Sequence, residues 1–291
     1  MVLSHTSDGA DASGSYRQQL VDSMVFELIP LKSVDAAIEA LPPNSPVSVT
    51  ASPVKGLDAT MELSDRIRDK GHRPIPHLAA RLVEGPDHVR AIAKWLKTEG
   101  YDTLFAVAGD SEEPAGPYQG THRFLSDLFA EDHGLTNVGI AAYPDGHAII
   151  SNEVCHEQLH AKQALLAEAG LQGWASTQMC FDTDLIKGWL TQERAEGFEL
   201  PVHLGLPGVV DKAKLMTMGV RLGVGASLRY LKKNRAAVKQ LLAPGAYDPD
   251  DILEPLAPSL EDLNISGLHV FTFNQVEATE SWRQSVLNSG S

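Results

Sequence analysis

The sequence predicts an α/β fold, a single (β/α)8 TIM barrel. Eight short apolar segments alternate with stretches of helical spacing, and no change in composition marks a domain boundary within the 291 residues. Most of the apolar segments are nearly continuous rather than alternating, as expected for parallel strands covered on both faces. Eight such units in about 270 residues match the size of one barrel. A doubly wound open sheet is the alternative, although no GxGxxG pattern opens a helix.

Each predicted strand is a short apolar run that ends in polar or turn residues. The eight runs are Met24–Pro30, Pro46–Pro53, Arg73–Ala80, Thr103–Asp110, Asn137–Pro144, Gly173–Phe181, Leu200–Gly208 and Gly267–Asn274.

The predicted helices carry start and stop signals. Ser33 is a candidate N-cap, Pro86 occupies a first turn, and a glycine follows four of the helices. The helices are Ser33–Leu41, Leu57–Lys70, Pro86–Glu99, Thr121–His133, Glu153–Ala169 and Asp182–Glu196, with two or three more segments inside Asp211–Leu263.

Charge and composition exclude several classes of function. Lys and Arg number 24 against 38 Asp and Glu, a net charge of −14 with neutral His, which opposes non-specific binding to nucleic acid or to anionic membranes. No apolar run is long enough to span a membrane. Cys155 and Cys180 are expected to be free thiols in a reducing compartment.

The first 20 residues are rich in Ser, Asp, Gly and Ala, and have no apolar segment of the kind found in secretory signals. We therefore expect a mobile tail over 1–20, a catalytic barrel domain over 21–291 and a cytoplasmic location.

Barrel enzymes act at the C-terminal ends of their strands, where this chain places polar or ionisable residues. Each of these has a structural explanation when taken alone, such as a cap, an ion pair or a hydrogen bond to backbone. Their joint placement indicates an active site, and the residues are Glu27, Thr50, His77, Asp110, Tyr143, His147, Gln178 and Asn274.

The sequence shows no metal signature. His156 and His160 lie four residues apart on one predicted helix, a spacing that could bind zinc. No third ligand is evident, so a solvated helix face is expected.

Seven short segments, in order along the chain, resemble motifs of the methylenetetrahydrofolate reductase family. Phe26-Glu27 with Pro30 resembles FEFFPP, and Pro76-His77-Leu78 resembles PHL. The others are 109–110 (GD, as in RGD), 141–147 (AAYPDGH, similar to AAYPexH), 177–182 (TQMCFD, similar to TQFFFD), 206–209 (LPGV, similar to the PGI loop) and 267–274 (GLHVFTFN, similar to GxHFYTLN).

The resemblance implies a TIM barrel that reduces 5,10-methylenetetrahydrofolate to 5-methyltetrahydrofolate with NADH or NADPH. It makes Glu27 the general acid that protonates N10 of the folate, and Asp110 a catalytic residue that contacts the pterin. Gln178 and Tyr143 would bind substrate. The positions that line the cofactor site are Thr50, His77, Tyr143 and His147.

Two cations expected from the resemblance are missing. Ala108 replaces the arginine of RGD, and the family's lysine before the sixth strand has no counterpart, Lys162 lying about one turn earlier. Because charged contacts to phosphate are the strong ones, both losses weaken the grip on the FAD diphosphate. The resemblance therefore predicts direct hydride transfer without FAD.

Other functions stay open at this point: an FAD-dependent ping-pong form of the same reductase, a folate-binding barrel in methyl transfer, and a non-catalytic folate-binding protein. Oligomeric state and the choice between NADH and NADPH are open too. A basic group after the seventh strand fits either a folate polyglutamate tail or a solvated helix face; it comprises Lys212, Lys214, Arg221, Arg229, Lys232, Lys233 and Arg235.

Overall fold

The protein folds as a closed barrel of eight parallel strands in sequential order. The computed structural model describes residues 8–147, 150–221 and 245–289. The strands are β1 Val25–Leu28, β2 Pro46–Val49, β3 Arg73–Ala79, β4 Thr103–Val107, β5 Asn137–Ala142, β6 Gln172–Thr177, β7 Val202–Pro207 and β8 Ile265–Phe271. Because β1 pairs with both β2 and β8, the barrel prediction is confirmed and the open-sheet alternative is wrong.

The described helices pack on the outside of the barrel. The first precedes β1, and the others alternate with the strands in β-α order. They are α1 Asp8–Asp22, α2 Val34–Glu39, α3 Gly56–Asp69, α4 Pro86–Glu99, α5 Thr121–Phe129, α6 Asn152–Glu168, α7 Thr183–Ala195, α8 Lys212–Arg221, α9 Asp250–Leu256 and α10 Val276–Asn288, with 3₁₀ turns at Ala80–Leu82 and Ala257–Ser259. The bounds of α4 match the prediction. Helix α5 ends four residues earlier than predicted, where the chain turns so that Leu135 is buried.

A row of aromatic side chains fills the middle of the barrel. Pairing places His77, Phe105, Gly139 and Trp174 side by side on β3 to β6. A Cβ on Gly139 would lie 2.5 Å from the Phe105 ring and 2.4 Å from the Trp174 ring. The glycine therefore makes room for two rings that an alanine would push apart.

Within the described residues, the N-terminal segment differs from the predicted mobile tail over 1–20, because 8–20 belong to helix α1; the first seven residues lie outside the described part of the chain. The Tyr16 hydroxyl donates to the carbonyl of Ile265 at the start of β8 (3.0 Å), and Arg17 pairs with Asp250. Leu20 and Val21 are buried in the same core as the strands. The polar composition hid these few anchoring residues, which fasten the helix to the N-terminal end of the barrel.

Three smaller expectations can be compared with the described residues. Among the described residues, Cys155 and Cys180 form no disulfide, as predicted. In the part of the chain that the structure describes, no helix is both long enough and apolar enough to cross a membrane. Of the basic group after β7, Arg229, Lys232, Lys233 and Arg235 lie outside the described residues.

Candidate active site at the C-terminal ends of the strands

Glu27 lies inside the barrel, held by contacts from the last strand. Its side chain is only 8% exposed, and its Oε2 lies 2.9 Å from Nε2 of His269 on β8. The Thr272 hydroxyl, just after β8, donates to the Glu27 carbonyl at 2.6 Å. Side chain and backbone are therefore positioned together, as an acid–base group requires.

His77 lies beside this pair. Its Nε2 is 2.5 Å from the Ser48 hydroxyl, and its ring centroid is 4.7 Å from that of Phe105 and 5.8 Å from that of His269. Burial, with a smaller contribution from the neighbouring His269, holds the pKa of His77 well below its usual value. A neutral His77 has one ring nitrogen that donates a hydrogen bond and one that accepts. It can therefore bond to an uncharged ring of a ligand.

The Glu27–His269 contact can hold one proton in two ways. Either the imidazole N–H donates to a carboxylate, or a carboxylic acid donates to the imidazole nitrogen. Both groups are almost completely buried inside the barrel. The pair can thus deliver a proton to a substrate atom placed beside it.

A second group of predicted residues gathers at the ends of β4 and β5. The rings of Tyr143 and His147 meet edge to face with centroids 4.9 Å apart. Burial raises the pKa of Tyr143 to about 12, with smaller contributions from Cys155 and Asp110, so Tyr143 carries its hydroxyl proton at neutral pH. Burial lowers the pKa of His147, and Asp110 opposes that shift. The exposed Asp110 carboxylate therefore influences the pKa of both rings.

Gln178 lies next to Tyr143, because its backbone N–H donates to the carbonyl of Ala142 at 2.9 Å. Its side-chain oxygen accepts from the N–H of Met179, also at 2.9 Å. This fixes the amide and leaves its NH2 group to donate to a ligand.

Thr50 follows β2, where its N–H donates to the Leu28 carbonyl at 3.0 Å. Its hydroxyl is buried without a hydrogen-bond partner among the described residues. A buried polar group of this kind costs free energy unless a ligand or water satisfies it.

Two groups of side chains in the described residues have a geometry that could hold a metal ion. One is Glu27, His77 and His269, within the candidate active site. The other is His156, His160 and Glu193, on α6 and α7. The sequence prediction that the two histidines form a solvated face without a third ligand is wrong, since Glu193 lies 2.9 Å from a ring nitrogen of each.

Sequence reasoning missed three groups that the fold brings to Glu27 and His77. They are His269, Thr272 and Ser48, all of them buried. His269 and Thr272 stand within the apolar GLHVFTFN segment, where their spacing of three residues follows no strand periodicity that would mark them as site residues. Asn274, which was predicted to end the last strand, pairs through its side-chain amide with both backbone groups of Ile29 at 2.9 Å.

The described residues do not fit an FAD diphosphate at the positions that the resemblance suggests. Ala108 offers no charge, and its carbonyl accepts from the N–H of Arg81. The Arg81 guanidinium donates to the carbonyls of Ser111 (2.7 Å) and Glu112 (2.6 Å). The Lys162 ammonium is buried and donates to the carbonyl of Ala141 at 3.4 Å. Both cations are directed at protein carbonyls.

Comparison with curated proteins finds distant similarity by sequence, and one such relative is a yeast enzyme. The chain is 23% identical over 194 residues to methylenetetrahydrofolate reductase 2 of Saccharomyces cerevisiae, covering 62% of this chain and 31% of that protein. The chain thus spans about a third of the length of the curated relative that it matches. No family model matches the sequence.

Solved structures resemble the fold weakly. The carboxyl transferase domain of Rhizobium etli pyruvate carboxylase, with pyruvate and biocytin, has a TM-score of 0.43 at 15% identity, covering 94% of this chain and 46% of that one. A protein from Aquifex aeolicus VF5 has a TM-score of 0.41 at 13% identity, covering 94% and 98%. Likeness at this level carries no inference about what the chain binds.

Proposed function

We propose that this barrel is a methylenetetrahydrofolate reductase in which Glu27 is the general acid. The observation that carries the proposal is the buried contact between Glu27 and His269, which puts a proton-sharing pair inside the barrel. The distant similarity to a yeast methylenetetrahydrofolate reductase supports the same reaction. So do the seven segments that resemble the family's motifs.

In the proposed reaction, Glu27 gives its proton to N10 of 5,10-methylenetetrahydrofolate. The bond from N10 to the bridging carbon breaks, and that carbon becomes an iminium on N5. A hydride from the nicotinamide of NADH or NADPH then adds to the carbon, giving the N5-methyl group and NAD(P)⁺. Glu27 regains a proton, and one proton and one hydride are consumed in each turnover.

The remaining residues bind and orient the substrate. The NH2 group of Gln178 donates a hydrogen bond to the folate. The Asp110 carboxylate accepts hydrogen bonds from the N–H groups of the pterin. Tyr143 and His147 line the space for the nicotinamide. These hydrogen bonds hold the iminium carbon in contact with the hydride donor. Much of the rate enhancement of such a reaction comes from this positioning.

We propose direct transfer between the two substrates, without a flavin. The support is the mismatch with the FAD diphosphate, in particular Ala108 and the inward-directed Lys162. Direct transfer requires both substrates to be bound together, whereas a flavin form releases NAD(P)⁺ before folate is reduced.

Two measurements on the purified chain test the proposal. We expect no flavin absorbance in the visible range, and NADH or NADPH oxidation only when methylenetetrahydrofolate is present, with 5-methyltetrahydrofolate as product and sequential kinetics. Stoichiometric flavin with ping-pong kinetics would instead identify the flavin-dependent form. Folate binding without oxidation of either nucleotide would contradict the reductase and favour the methyl-transfer alternative.

A further inference from the structure

A second cluster of ionisable side chains lies between α6 and α7. His156 and His160 stand one turn apart on α6, with ring centroids 4.4 Å apart. His156 Nδ1 and His160 Nε2 each lie 2.9 Å from the same oxygen, Oε2 of Glu193 on α7. Three potential metal-binding atoms therefore converge on one point from two helices.

The carboxylate in this cluster needs a cation. The Glu193 side chain is 7% exposed, and among the described residues no Lys or Arg forms an ion pair with it. An ionised carboxylate that is this well buried is stable only when it is paired or when it coordinates a metal. The two histidines that face this oxygen can each donate an N–H hydrogen bond to it. Alternatively, both histidines and the carboxylate can bind one metal ion.

The three candidate ligand atoms all lie within 4.8 Å of one another, near enough to share one ion. Bonds of about 2.0–2.2 Å in a tetrahedron place neighbouring ligand atoms about 3.3–3.6 Å apart. The observed nitrogen-to-oxygen distances of 2.9 Å need to widen by only a few tenths of an ångström. Two imidazoles and one carboxylate are also a ligand set used by zinc sites that keep an open fourth position.

The surroundings supply what a metal site requires beyond its ligands. Nε2 of His156, on the far side of the ring from Glu193, lies 3.2 Å from Oε2 of Glu196. Ligating histidines usually donate their second N–H to a carboxylate in this way, which fixes the ring and its tautomer. The His160 ring packs edge to face against Phe198.

The cluster also has access to solvent. A cavity of about 780 Å³ is lined by residues of the β5–α6 loop, α6 and α7, including His156, Glu193, Glu196 and Trp189. It provides an entry path for an ion and room for a water molecule at the fourth position.

We propose that His156, His160 and Glu193 form a zinc-binding site that joins α6 to α7. Glu196 orients His156, and water from the cavity completes the tetrahedron. None of the three ligands is among the residues assigned to folate reduction, although Tyr143 lines the same cavity. The zinc proposal does not depend on that function. Without an ion, the same three side chains would be joined only by hydrogen bonds. A measurement of metal binding distinguishes this metal-free cluster from a zinc site.

The test is zinc binding by the full chain, freed of any affinity tag and stripped with a chelator. We expect one Zn²⁺ per chain in competition with a chromogenic chelator, and an absorption spectrum typical of tetrahedral coordination when Co²⁺ is substituted. His160→Gln should weaken zinc binding more than about 100-fold, and Glu196→Gln by about 10-fold, as losses around a metal ligand do. His122→Gln, at an exposed position on α5, is the matched control and should bind as the wild type does.

Stability gives a second readout if a variant folds poorly. Zinc should raise the melting temperature of the wild-type chain and of His122→Gln, and leave that of His160→Gln unchanged, because an ion stabilises only the state that binds it. Equal zinc binding by wild type and His160→Gln overturns the proposal. So does a stripped wild-type chain that takes up no zinc.

Discussion

The carboxylate of Glu27 and the imidazole of His269 meet at 2.9 Å across the seam where the first and last strands close the barrel. These residues are separated by 242 positions in the chain, and barrel closure alone brings them together. The contact gives the proposed acid a fixed orientation. It also gives the acid a neighbour that can donate to its ionised form or accept from its protonated form.

Glu27→Gln should abolish most of the proposed reductase activity while leaving the fold intact. The amide keeps the size of the side chain and can still bond to His269, but it has no proton to deliver to N10. Loss of a general acid lowers kcat by about 10²- to 10⁴-fold. The measurement is the rate of NAD(P)H oxidation with methylenetetrahydrofolate, alongside circular dichroism.

The control for this variant is Glu168→Gln, at an exposed position on α6, which should retain wild-type activity. Full activity in Glu27→Gln would contradict the proposed role.

The barrel could be predicted from sequence because its strands are short and apolar on both faces and its helices end at glycines. The same local patterns placed Glu27, His77 and Asp110 at strand ends. Sequence could not show that His269 meets Glu27, since an in-facing histidine in an apolar strand has no distinguishing local pattern.

Glu193 shows the same limit. It lies 33 residues after His160, so only the packing of α7 on α6 makes it a possible third ligand. The anchoring of α1 by Tyr16 was hidden for the same reason, because its partner Ile265 is 249 residues away.

Asn274→Ala should destabilise the barrel at the β8–β1 seam. The Asn274 amide bonds to both backbone groups of Ile29 and to the Ser33 hydroxyl. Its backbone has a φ of 62°, in the left-handed region where alanine is strained by about 1 kcal/mol. Loss of the side-chain bonds adds about 1–3 kcal/mol. Urea unfolding measures the sum.

Asn274→Gly separates the two contributions to that loss. Glycine relieves the backbone strain but restores no hydrogen bond, so its free energy of unfolding should fall between those of wild type and Asn274→Ala. A glycine variant as stable as wild type would mean that the three hydrogen bonds contribute nothing.

His203 should make the protein lose stability in acid. It stacks on Trp174 with ring centroids 5.3 Å apart, and its Nδ1 is buried without a partner among the described residues. Burial, with a smaller effect of His269, lowers the pKa of His203 to about 3. Between that value and about 6.5, the usual pKa, the unfolded chain binds a proton that the folded chain does not. The free energy of unfolding therefore falls as pH falls through this window, by about 1.4 kcal/mol per pH unit from this group.

Urea unfolding of His203→Leu at pH 7 and pH 5 checks the prediction. In His203→Leu, the free energy of unfolding should no longer show the part of the pH dependence that comes from His203. Ser176→Ala, which changes the neighbouring strand without removing a titratable group, should keep the wild-type slope. Identical slopes in wild type and His203→Leu would show that His203 is not the cause.

Lys162→Met should stabilise the protein at neutral pH. The Lys162 side chain is buried on α6, and desolvation lowers its pKa to about 8, with Cys155 opposing the shift. Below pH 8 the ammonium is charged in both the folded and the unfolded chain, so the full cost of burying the charge opposes folding. From the difference between the usual pKa of 10.5 and about 8, that cost is about 3 kcal/mol. It declines as pH rises from 8 and disappears above about 10.5, where both states are neutral.

The gain from Lys162→Met should therefore be large at pH 7 and small at pH 10, as measured by urea unfolding at both values. Met occupies a similar volume without a charge, and the lost bond to the Ala141 carbonyl is long at 3.4 Å. Lys94→Met, at an exposed position on α4, should change stability by less than about 0.5 kcal/mol at either pH. A destabilised Lys162→Met at pH 7 would show instead that the buried ammonium makes contacts strong enough to offset its desolvation.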